Sequence, residues 1–397
     1  MQRLRLRKNA DRRVKSGHLW LYSNEIDIKV TPLKGLTPGE QVIIEADNGR
    51  DIAVAYANPN SLICARIVSR DTARALDRSL LVHRLNQALA LRSRMFSAPY
   101  YRLVYGEGDL LPGLIIDRFN DVVVVQANTQ GMANVQDAII DALEKVIHPR
   151  VIVMSNDTAG RRMEDLPLVS EVVKGELPDD GNIELVENGV IFQVSPLDGQ
   201  KTGWFYDHRS NRAWLNQWAE GKRVLDVFSY VGGWGVQAAV HGATAVTCVD
   251  ASAKALAAVQ HNAALNGVSD RVATHHGDAF EALAALKEQG EQFDIVIVDP
   301  PAFIRKRKDT ASGERAYGRL NREAMRLLTR DGLLVSGSCS MHLLPERHKD
   351  IVRGAARHQD RLAQIIYEGH QGSDHPVHPA IPETAYLKAL GVRVYRD

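Results

Sequence analysis

The sequence has few cysteines and no long apolar run. Its three cysteines, Cys64, Cys248 and Cys339, share no metal-type spacing and are too few for a disulfide framework, so each is a buried apolar residue or a reactive thiol. No window approaches the ~18 apolar residues of a membrane-spanning helix, and the start, MQRLRLRKNADRR, lacks the apolar stretch of a signal peptide. We therefore expect a cytosolic chain. At roughly 150 residues per domain, its length predicts two or three domains.

Net charge is also small, but the charges are unevenly distributed. Lys and Arg exceed Asp and Glu by only one overall. Residues 1–100 contain 17 basic and 9 acidic residues, whereas residues 101–200 contain 7 and 17. A basic end favours a polyanionic partner, although surface Lys and Arg are often only solvated. Charge alone therefore leaves nucleic-acid binding open.

Residues 1–72 show the short alternating segments of a small β-barrel. Strands are predicted at 3–7, 41–46, 51–56 and 62–68, with a tight hairpin at Asn48-Gly49. The basic N-terminal edge would contact phosphate, or would only block strand addition. The predicted RNA-contacting residues here are Arg3, Arg5, Arg7, Lys8, Arg12 and Arg13.

Residues 73–196 are predicted to form a central α+β spacer domain. A helix is expected at 78–95 and another near 135–146, with strands at 101–105, 114–118, 122–127 and 151–155. A hairpin at 183–194 turns on Asn188-Gly189. The acidic residues here show no catalytic spacing.

Residues 197–397 alternate strand and helix, which predicts a doubly wound parallel α/β sheet. Ligands of such sheets bind at the carboxyl ends of the strands. Acids stand at four successive predicted strand ends: Asp226, Asp250, Asp278 and Asp299. Each alone could be a helix cap, but four at one sheet edge predict a ligand site.

The turn after the first of these strands is glycine-rich but is not G-x-G-x-x-G. A carboxylate at Asp226 would repel a pyrophosphate and attract an ammonium, which disfavours NAD and favours S-adenosylmethionine. Asp250 is placed to accept the ribose hydroxyls, and Asp278 to lie near the adenine. The predicted cofactor-binding residues are Asp226, Phe228, Ser229, Tyr230, Gly232, Gly233, Asp250, Ala251, Asp278, Ala279 and Asp299.

Asp299-Pro-Pro-Ala-Phe resembles the target-base motif of nucleic-acid methyltransferases, in which the acid reads a base edge and Phe303 would stack on the base. Cys339 follows the next strand among Ser and Gly. Carbon 5 of a pyrimidine becomes nucleophilic only after a thiolate adds to carbon 6, so Cys339 is the predicted nucleophile, with Asp299 protonated or sharing a proton with N3. A free thiol is only a few per cent ionised at neutral pH, and the group that favours the thiolate is not evident.

A basic stretch follows this motif. Residues 305–330 contain nine basic and three acidic residues, and the arginine spacing predicts one stripe on a helix at 314–328. This stripe is either a solvated face or a track for RNA phosphates, which we favour. The predicted residues are Arg305, Lys306, Arg307, Lys308, Arg315, Arg319, Arg322, Arg326 and Arg330.

His370, Asp374, His375 and His378 do not have the spacing of a helical metal site, so we expect no metal there. The prolines between them predict an irregular loop that shapes the mouth of the pocket.

The whole chain resembles the bacterial PUA-containing, S-adenosylmethionine-dependent ribosomal RNA cytosine-5 methyltransferases, the RlmI family. The resemblance rests on Gly17 to Ile26, on residues 106–119, on Lys201-Thr202-Gly203, on 226–233, on 299–303, on Ser338-Cys339-Ser340 and on Asp374-His375-Pro376. It implies a PUA domain that holds structured RNA, a cytosine of large-subunit rRNA as target, and cofactor contacts from Lys201 and Thr202.

The chain departs from that family at two places. The segment after Lys-Thr-Gly usually ends Leu-Asp-Gln-Arg, but here it is Tyr206-Asp207-His208-Arg209. Pro301 stands where two-cysteine RNA methyltransferases have their second thiol. A nitrogen-directed RNA methyltransferase and a non-catalytic RNA-binding assembly factor remain alternatives, and a homodimer is compatible with the sequence.

Overall fold

The computed structural model describes residues 1–397 and divides them into two units. The first unit comprises residues 1–183, 195–206 and 373–384, and the second comprises 184–194, 207–372 and 385–397. None of the helices combines the length and apolar character needed to cross a membrane.

The first unit contains two five-stranded sheets. The N-terminal sheet has the order β1-β3-β4-β5-β2, and the central sheet has the order β10-β9-β8-β7-β6. The strands are β1 Gln2–Arg5, β2 Trp20–Tyr22, β3 Glu40–Glu45, β4 Asp51–Ala57, β5 Ile63–Ser69, β6 Tyr100–Tyr105, β7 Leu114–Phe119, β8 Val122–Ala127, β9 Val151–Ser155 and β10 Ser170–Lys174. The helices are α1 Asp11–Lys15, α2 Arg78–Met95, α3 Gln130–Ala133, α4 Gln136–Ile147 and α5 Ala159–Met163.

The N-terminal sheet closes on itself. A bridge between Leu6 and Ile26 joins the continuation of β1 to the segment after β2. Alternate residues of β1, β3 and β4 point inward, and their side chains fill one apolar core. The predicted small β-barrel is confirmed, although β2 and α1 were not predicted.

The barrel and the central sheet share a second core. Val54, Tyr56 and Val68 of the barrel pack with α2 and with β6–β9, and the Tyr56 hydroxyl donates to the carbonyl of Pro112 at 2.6 Å. The predicted domain border at residue 72 stays a prediction, because side chains that precede it in the sequence pack with side chains that follow it. Helix α2 has the predicted bounds, and its first turn is capped by Asp77, which accepts from the amide of Leu80.

The second unit is built on a seven-stranded sheet of order β15-β14-β13-β16-β17-β19-β18. The first five strands are parallel, and β19 runs antiparallel to both β17 and β18. Strands β11 Ile183–Glu187 and β12 Val190–Val194 form a separate two-stranded sheet. The seven strands of the large sheet are β13 Arg223–Val227, β14 Ala245–Asp250, β15 Val272–His276, β16 Phe293–Val298, β17 Leu328–Ser338, β18 Leu362–Gly369 and β19 Lys388–Tyr395. The helices are α6 Arg209–Asn216, α7 Gly235–Val240, α8 Ala253–Leu265, α9 Ala279–Glu288, α10 Thr310–Arg326 and α11 Pro345–Arg357.

The central strands of this sheet are mostly apolar and buried, as is typical of parallel strands covered on both faces. In β16, the sequence FDIVIV contributes four consecutive buried residues. Leu225, Val296 and Leu334 of three neighbouring strands share a core with helices α9 to α11. The predicted α/β class is confirmed, but α11 and the antiparallel edge strands β18 and β19 were not predicted.

Three segments lie differently from the predicted domain borders. The hairpin β11–β12 belongs to the second unit because the buried Glu187 carboxylate binds Arg212 at 2.6 Å and Gln237 at 3.0 Å. Residues 195–206 and 373–384 belong to the first unit, where Thr202 donates to Asp117 and the Asp374 carboxylate accepts from the amide of Arg102. Such long-range polar contacts have no signature in local sequence.

Candidate active site

The parallel sheet brings the predicted acids to one edge. Strands β15, β14, β13 and β16 are neighbours in that order, and Asp278, Asp250, Asp226 and Asp299 lie in or directly after them. Cys339 follows β17, the next strand, at the same edge. The candidate site is therefore five adjacent strand ends.

The turn after β13 has an unusual backbone. Phe228, Tyr230 and Gly232 all have positive φ, of 67°, 49° and 87°. Two non-glycine residues in this region carry a cost of about 1–3 kcal/mol each, which is typical of ligand-binding turns. At Gly232 a Cβ would lie 2.6 Å from Val236, so the turn has no room for a side chain there. The Ser229 hydroxyl is buried in this turn without a hydrogen-bond partner.

Asp226 has a structural role at the start of α7. Its side chain is fully buried, and Oδ2 accepts from the amide of Gly235 at 2.8 Å. A Cβ at Gly235 would lie 2.5 Å from the Cys248 sulfur, which shows how tightly this helix start packs on the strand. The carboxyl therefore fixes the start of α7, and its predicted contact with the cofactor's ammonium stays a prediction.

Burial raises the pKa of Asp226 to about 7, with the nearby charges of Asp299 and Asp250 adding to the shift against the hydrogen bond from Gly235. The folded protein then binds a proton that the unfolded chain, with the ordinary value of 3.8, releases earlier. Stability should fall as pH rises from about 4 to about 7, by at most about 4 kcal/mol.

We expect Asp226→Asn to flatten that pH dependence. The amide keeps one oxygen for the Gly235 amide and has no charge to bury. Thermal unfolding of the cofactor-free protein between pH 5 and 7.5 measures the difference between variant and wild type. Parallel curves for the two proteins would contradict a buried, neutral carboxyl at this position.

Asp250 ends β14 and is half-exposed. Its Oδ2 accepts from the amide of Tyr230 and its Oδ1 from the amide of Ser252, both at 2.9 Å. One carboxylate thus couples the strained turn to the start of α8, and each oxygen retains a further lone pair. This geometry is compatible with the predicted contact to ribose hydroxyls. Ala251 beside it is exposed.

Asp278 is the N-cap of α9. Its Oδ1 accepts from the amides of Phe280 and Glu281, at 2.8 and 3.3 Å. The helix-cap alternative therefore accounts for this side chain, while the neighbouring Ala279 is buried. A direct contact with an adenine stays a prediction.

Asp299 is held between two ring N–H groups. The Trp234 indole donates to Oδ2 at 3.2 Å, and His208 Nε2 lies 3.2 Å from Oδ1, off the ideal hydrogen-bond line. Gly337 on β17 leaves room for this acid, since a Cβ there would lie 2.8 Å from Oδ1. His208 and Trp234 were not among the predicted site residues, and only the departure at His208 from the family sequence pointed to that position.

The tautomer of His208 follows from its neighbours. The Asn211 side-chain nitrogen lies 3.2 Å from the carbonyl of His370, which can only accept, so this nitrogen is the amide donor. It also donates to His208 Nδ1 at 3.0 Å. The neutral ring therefore carries its proton on Nε2, which faces Asp299.

The environment of Asp299 favours the ionised carboxyl. Burial alone would raise its pKa, but the interactions with His208 and with the indole of Trp234 outweigh burial and lower the pKa below its ordinary value. This environment favours the second of the two predicted roles, in which Asp299 shares a proton with N3 of the base, over a protonated Asp299.

Cys339 differs from the other two cysteines. Cys64 and Cys248 are buried, and burial raises the pKa of Cys64 to about 12 and that of Cys248 well above its ordinary value. Cys339 is partly exposed, and its sulfur lies 3.9 Å from the carbonyl of Pro300, next to Asp299. The thiol is therefore directed toward the Asp-Pro-Pro turn.

A polar network fixes the segment around this thiol. Ser338 donates to the Tyr317 hydroxyl at 3.0 Å, which lies 2.8 Å from the Ser340 hydroxyl. Ser340 in turn accepts from the amide of Ile304 at 3.1 Å. Phe303 packs against Tyr317 with ring centroids 4.8 Å apart, so its predicted stacking on a base involves a half-buried ring.

The predicted RNA-contacting residues differ in solvent exposure and in whether another side chain already binds them. Arg305 to Lys308 are exposed, Arg326 binds Glu323, and Arg319 lies over the Phe280 ring. The predicted stripe is shorter than expected, because α10 ends at 326 and Arg330 lies in β17. In the first unit, acids bind three of the N-terminal bases, in the pairs Arg3–Asp51, Arg5–Glu45 and Arg13–Glu25, whereas Arg7, Lys8 and Arg12 are exposed.

The remaining predicted residues lie in the first unit. Lys201 is exposed with a positive φ of 54°, and Thr202 is buried. Asp374 and His375 are buried and bind each other at 2.8 Å. The backbone carbonyl of Asp374 also accepts from Arg92 of α2 at 2.8 Å. Residues 370–381 form neither helix nor strand, as predicted, and their contribution to the mouth of the pocket stays a prediction.

Comparisons with known proteins agree with this architecture. A family model described as S-adenosylmethionine-dependent methyltransferase matches residues 162–393, and a PUA-like domain model matches residues 4–70. A methyltransferase from Streptococcus mutans has the same fold, with a TM-score of 0.84 at 22% identity over 99% of this chain and 100% of that chain. A second solved structure, of a methyltransferase complexed with SAH, reaches a TM-score of 0.85 at 22% identity over the same shares.

Two relatives match over their full length. Ribosomal RNA large subunit methyltransferase I of Shewanella amazonensis is 35% identical over 398 residues, which is 99% of both chains. The protein of the same name from Tolumonas auensis is 36% identical over 393 residues, which is 98% of both chains. The half-exposed Asp250 and the left-handed turn fit S-adenosylmethionine, and acids at this edge would repel a dinucleotide phosphate. The chain therefore belongs to the ribosomal RNA large subunit methyltransferase I family of S-adenosylmethionine-dependent methyltransferases.

Proposed function

We propose that this protein methylates carbon 5 of a cytosine in large-subunit rRNA through a covalent adduct on Cys339. The rRNA substrate is supported by the names of the full-length relatives and by the PUA-like match. The proposed chemistry rests on one observation. Of the three cysteines, Cys64 and Cys248 are buried, whereas Cys339 is partly exposed and its thiol faces the Asp299-Pro300 turn.

In the proposed reaction, the Cys339 thiolate adds to carbon 6 of the flipped cytosine, which makes carbon 5 nucleophilic. S-adenosylmethionine supplies the methyl group that carbon 5 accepts, and the strained turn after β13 and Asp250 would hold it. The carbon 5 proton, and the proton that N3 takes from solvent during the addition, then pass to solvent, and expulsion of the thiolate restores the aromatic ring and the free enzyme.

Asp299 would identify the base. Its ionised oxygens only accept hydrogen bonds, so they suit the exocyclic amine of cytosine and repel the carbonyl that uracil has at that position. A ring that takes up a proton at N3 during thiolate addition is stabilised by the same negative charge. His208 and Trp234 hold the carboxylate ready for this contact.

The two alternatives predict different chemistry. Transfer to a ring or exocyclic nitrogen needs no sulfur nucleophile, because nitrogen has its own lone pair. A non-catalytic assembly factor would bind RNA without methylating it. Mass spectrometry of rRNA nucleosides from cells with and without this gene distinguishes them: we expect loss of 5-methylcytidine. An unchanged level would remove the proposal, and loss of a methylated purine would favour nitrogen transfer.

Residues 1–72 and the basic segment 305–308 are proposed to bind RNA phosphates. The four side chains of that segment are exposed, and Arg305 and Arg307 have no acidic partner. We expect Arg305→Glu combined with Arg307→Glu to weaken rRNA-fragment binding about tenfold or more at ~0.1 M salt and to reduce the salt dependence of binding.

The matched control is the same double reversal at Arg353 and Arg357, two exposed arginines on α11. Equal losses of rRNA-fragment affinity in the two double variants would show that binding depends on net charge and not on the segment 305–308. Filter binding or fluorescence anisotropy over a salt series provides both quantities.

A further inference from the structure

Lys388 is a buried lysine near the proposed nucleophile. It begins β19, which runs antiparallel to β17, and pairs with Ser338, the residue before Cys339. Only 9% of the residue is exposed. Its ammonium donates to the backbone carbonyls of Ser340, at 2.6 Å, and Tyr386, at 2.7 Å. Both carbonyls are neutral, and no carboxylate lies within ion-pair distance of the ammonium.

A buried ammonium without an anion is costly to keep charged. Burial lowers the pKa of Lys388 to about 8, and the charge of Cys339 acts in the opposite direction. The carbonyls orient the ammonium but do not neutralise it. The group in this environment that can supply the missing negative charge is the thiol of Cys339, once it is ionised.

Three other titratable groups lie around the pair: His348, Tyr317 and Asp299. Burial, followed by the charge of Lys388, lowers the pKa of His348 on α11 to about 3. Burial raises the pKa of Tyr317 on α10. Asp299 beyond β16 is engaged by His208 and Trp234. His348 and Tyr317 therefore add no charge between Lys388 and Cys339, and the ionised Asp299 is bound by His208 and Trp234.

We propose that Lys388 supplies the positive charge that keeps Cys339 in its thiolate form. The thiol releases its proton to solvent, and the ammonium keeps its own three protons, so the pair is a thiolate and an ammonium. Lys388 acts through Cys339 and is a positioning residue for it. The thiolate–ammonium pair does not depend on the proposed function. Only the role of this thiolate as the nucleophile of methyl transfer rests on it.

The pH dependence of Cys339 alkylation tests this pairing without any RNA. The rate of iodoacetamide modification at Cys339, followed by peptide mass spectrometry, reports the thiolate fraction, and the buried Cys64 and Cys248 serve as unreactive references. In the wild type we expect half-maximal reactivity below pH ~8, whereas a midpoint at the ordinary value near ~8.5 would overturn the proposal.

Variants extend the test. Lys388→Met should slow alkylation at pH 7 about tenfold and shift the midpoint upward by about one pH unit, whereas Lys388→Arg should preserve the wild-type profile. Lys287→Met, which removes an exposed lysine of α9, is the matched control. A Lys388→Met profile identical to wild type, or an equal shift for Lys287→Met, would refute the role. S-adenosylmethionine binding by each variant reports that the fold is intact.

These experiments distinguish a failure of the Lys388 inference from a failure of the proposed function. A low thiol midpoint that depends on Lys388, together with unchanged 5-methylcytidine in cells, would leave the pair in place and remove the cytosine assignment. Loss of 5-methylcytidine in cells without this gene, together with a thiol midpoint that does not depend on Lys388, would support the cytosine assignment and refute the role of Lys388.

Discussion

Cys339→Ala is expected to lower methyl transfer to rRNA at least about 1,000-fold while leaving cofactor binding unchanged. Without the sulfur, carbon 5 of cytosine has no route to a nucleophilic state, and the described contact of the sulfur is with Pro300 rather than with the turn after β13. Transfer of radioactive methyl groups to rRNA in vitro measures the rate, and calorimetry measures S-adenosylmethionine binding.

Cys64→Ala is the control for this prediction, since it removes a buried thiol of the first unit. It should keep nearly full activity at a temperature where the variant remains folded. Activity of Cys339→Ala within tenfold of wild type would rule out the covalent route and leave nitrogen transfer as the better reading of the Asp-Pro-Pro-Ala-Phe motif.

Asp250→Ala is expected to weaken S-adenosylmethionine binding about 100-fold or more. The change removes the proposed acceptors for two ribose hydroxyls, and each hydrogen bond to a charged group contributes about 1.5–3 kcal/mol. It also releases the amides of Tyr230 and Ser252, so the left-handed turn loses its tie to α8.

Isothermal titration calorimetry measures this loss directly. Asp270→Ala, at a well-exposed acid after α8, is the matched control and should bind normally. An unchanged dissociation constant for Asp250→Ala would mean that the cofactor lies elsewhere on the sheet edge.

The sequence was sufficient to predict the central architecture because regular patterns encode it. Strands such as β16 end in a run of four buried apolar residues, and helices such as α8 begin at a serine cap that accepts from the amide of Ala255. Parallel order then places the strand-end acids together without any further information. The position of Cys339 at the same edge followed from the same rule.

The antiparallel edge of the sheet could not be predicted in the same way. Strand β18 is exposed along most of its length, so its sequence shows no core-facing pattern. Its pairing with β19, and that of β19 with β17, joins segments distant in sequence. This pairing is also what brings Lys388 beside the nucleophile, which explains why the sequence alone did not identify the group that favours the thiolate.

The orientations of individual acids were also beyond the sequence. Asp226 and Asp299 occupy equivalent strand ends, but Asp226 lies beneath the turn and Asp299 faces two ring donors. Which of the two is ionised depends on burial and on His208, whose position next to Asp299 is set by contacts of Asn211 with the segment after β18. Such differences arise from packing between distant segments rather than from local patterns.

Trapping the adduct is the most direct measurement of the central claim. A cytosine with fluorine at carbon 5 cannot lose a proton there, so thiolate addition and methyl transfer should leave the RNA bound to the enzyme. We predict a denaturation-resistant complex whose mass spectrum places the RNA on Cys339, absent from Cys339→Ala. Full turnover without any such complex in the wild type would contradict the claim.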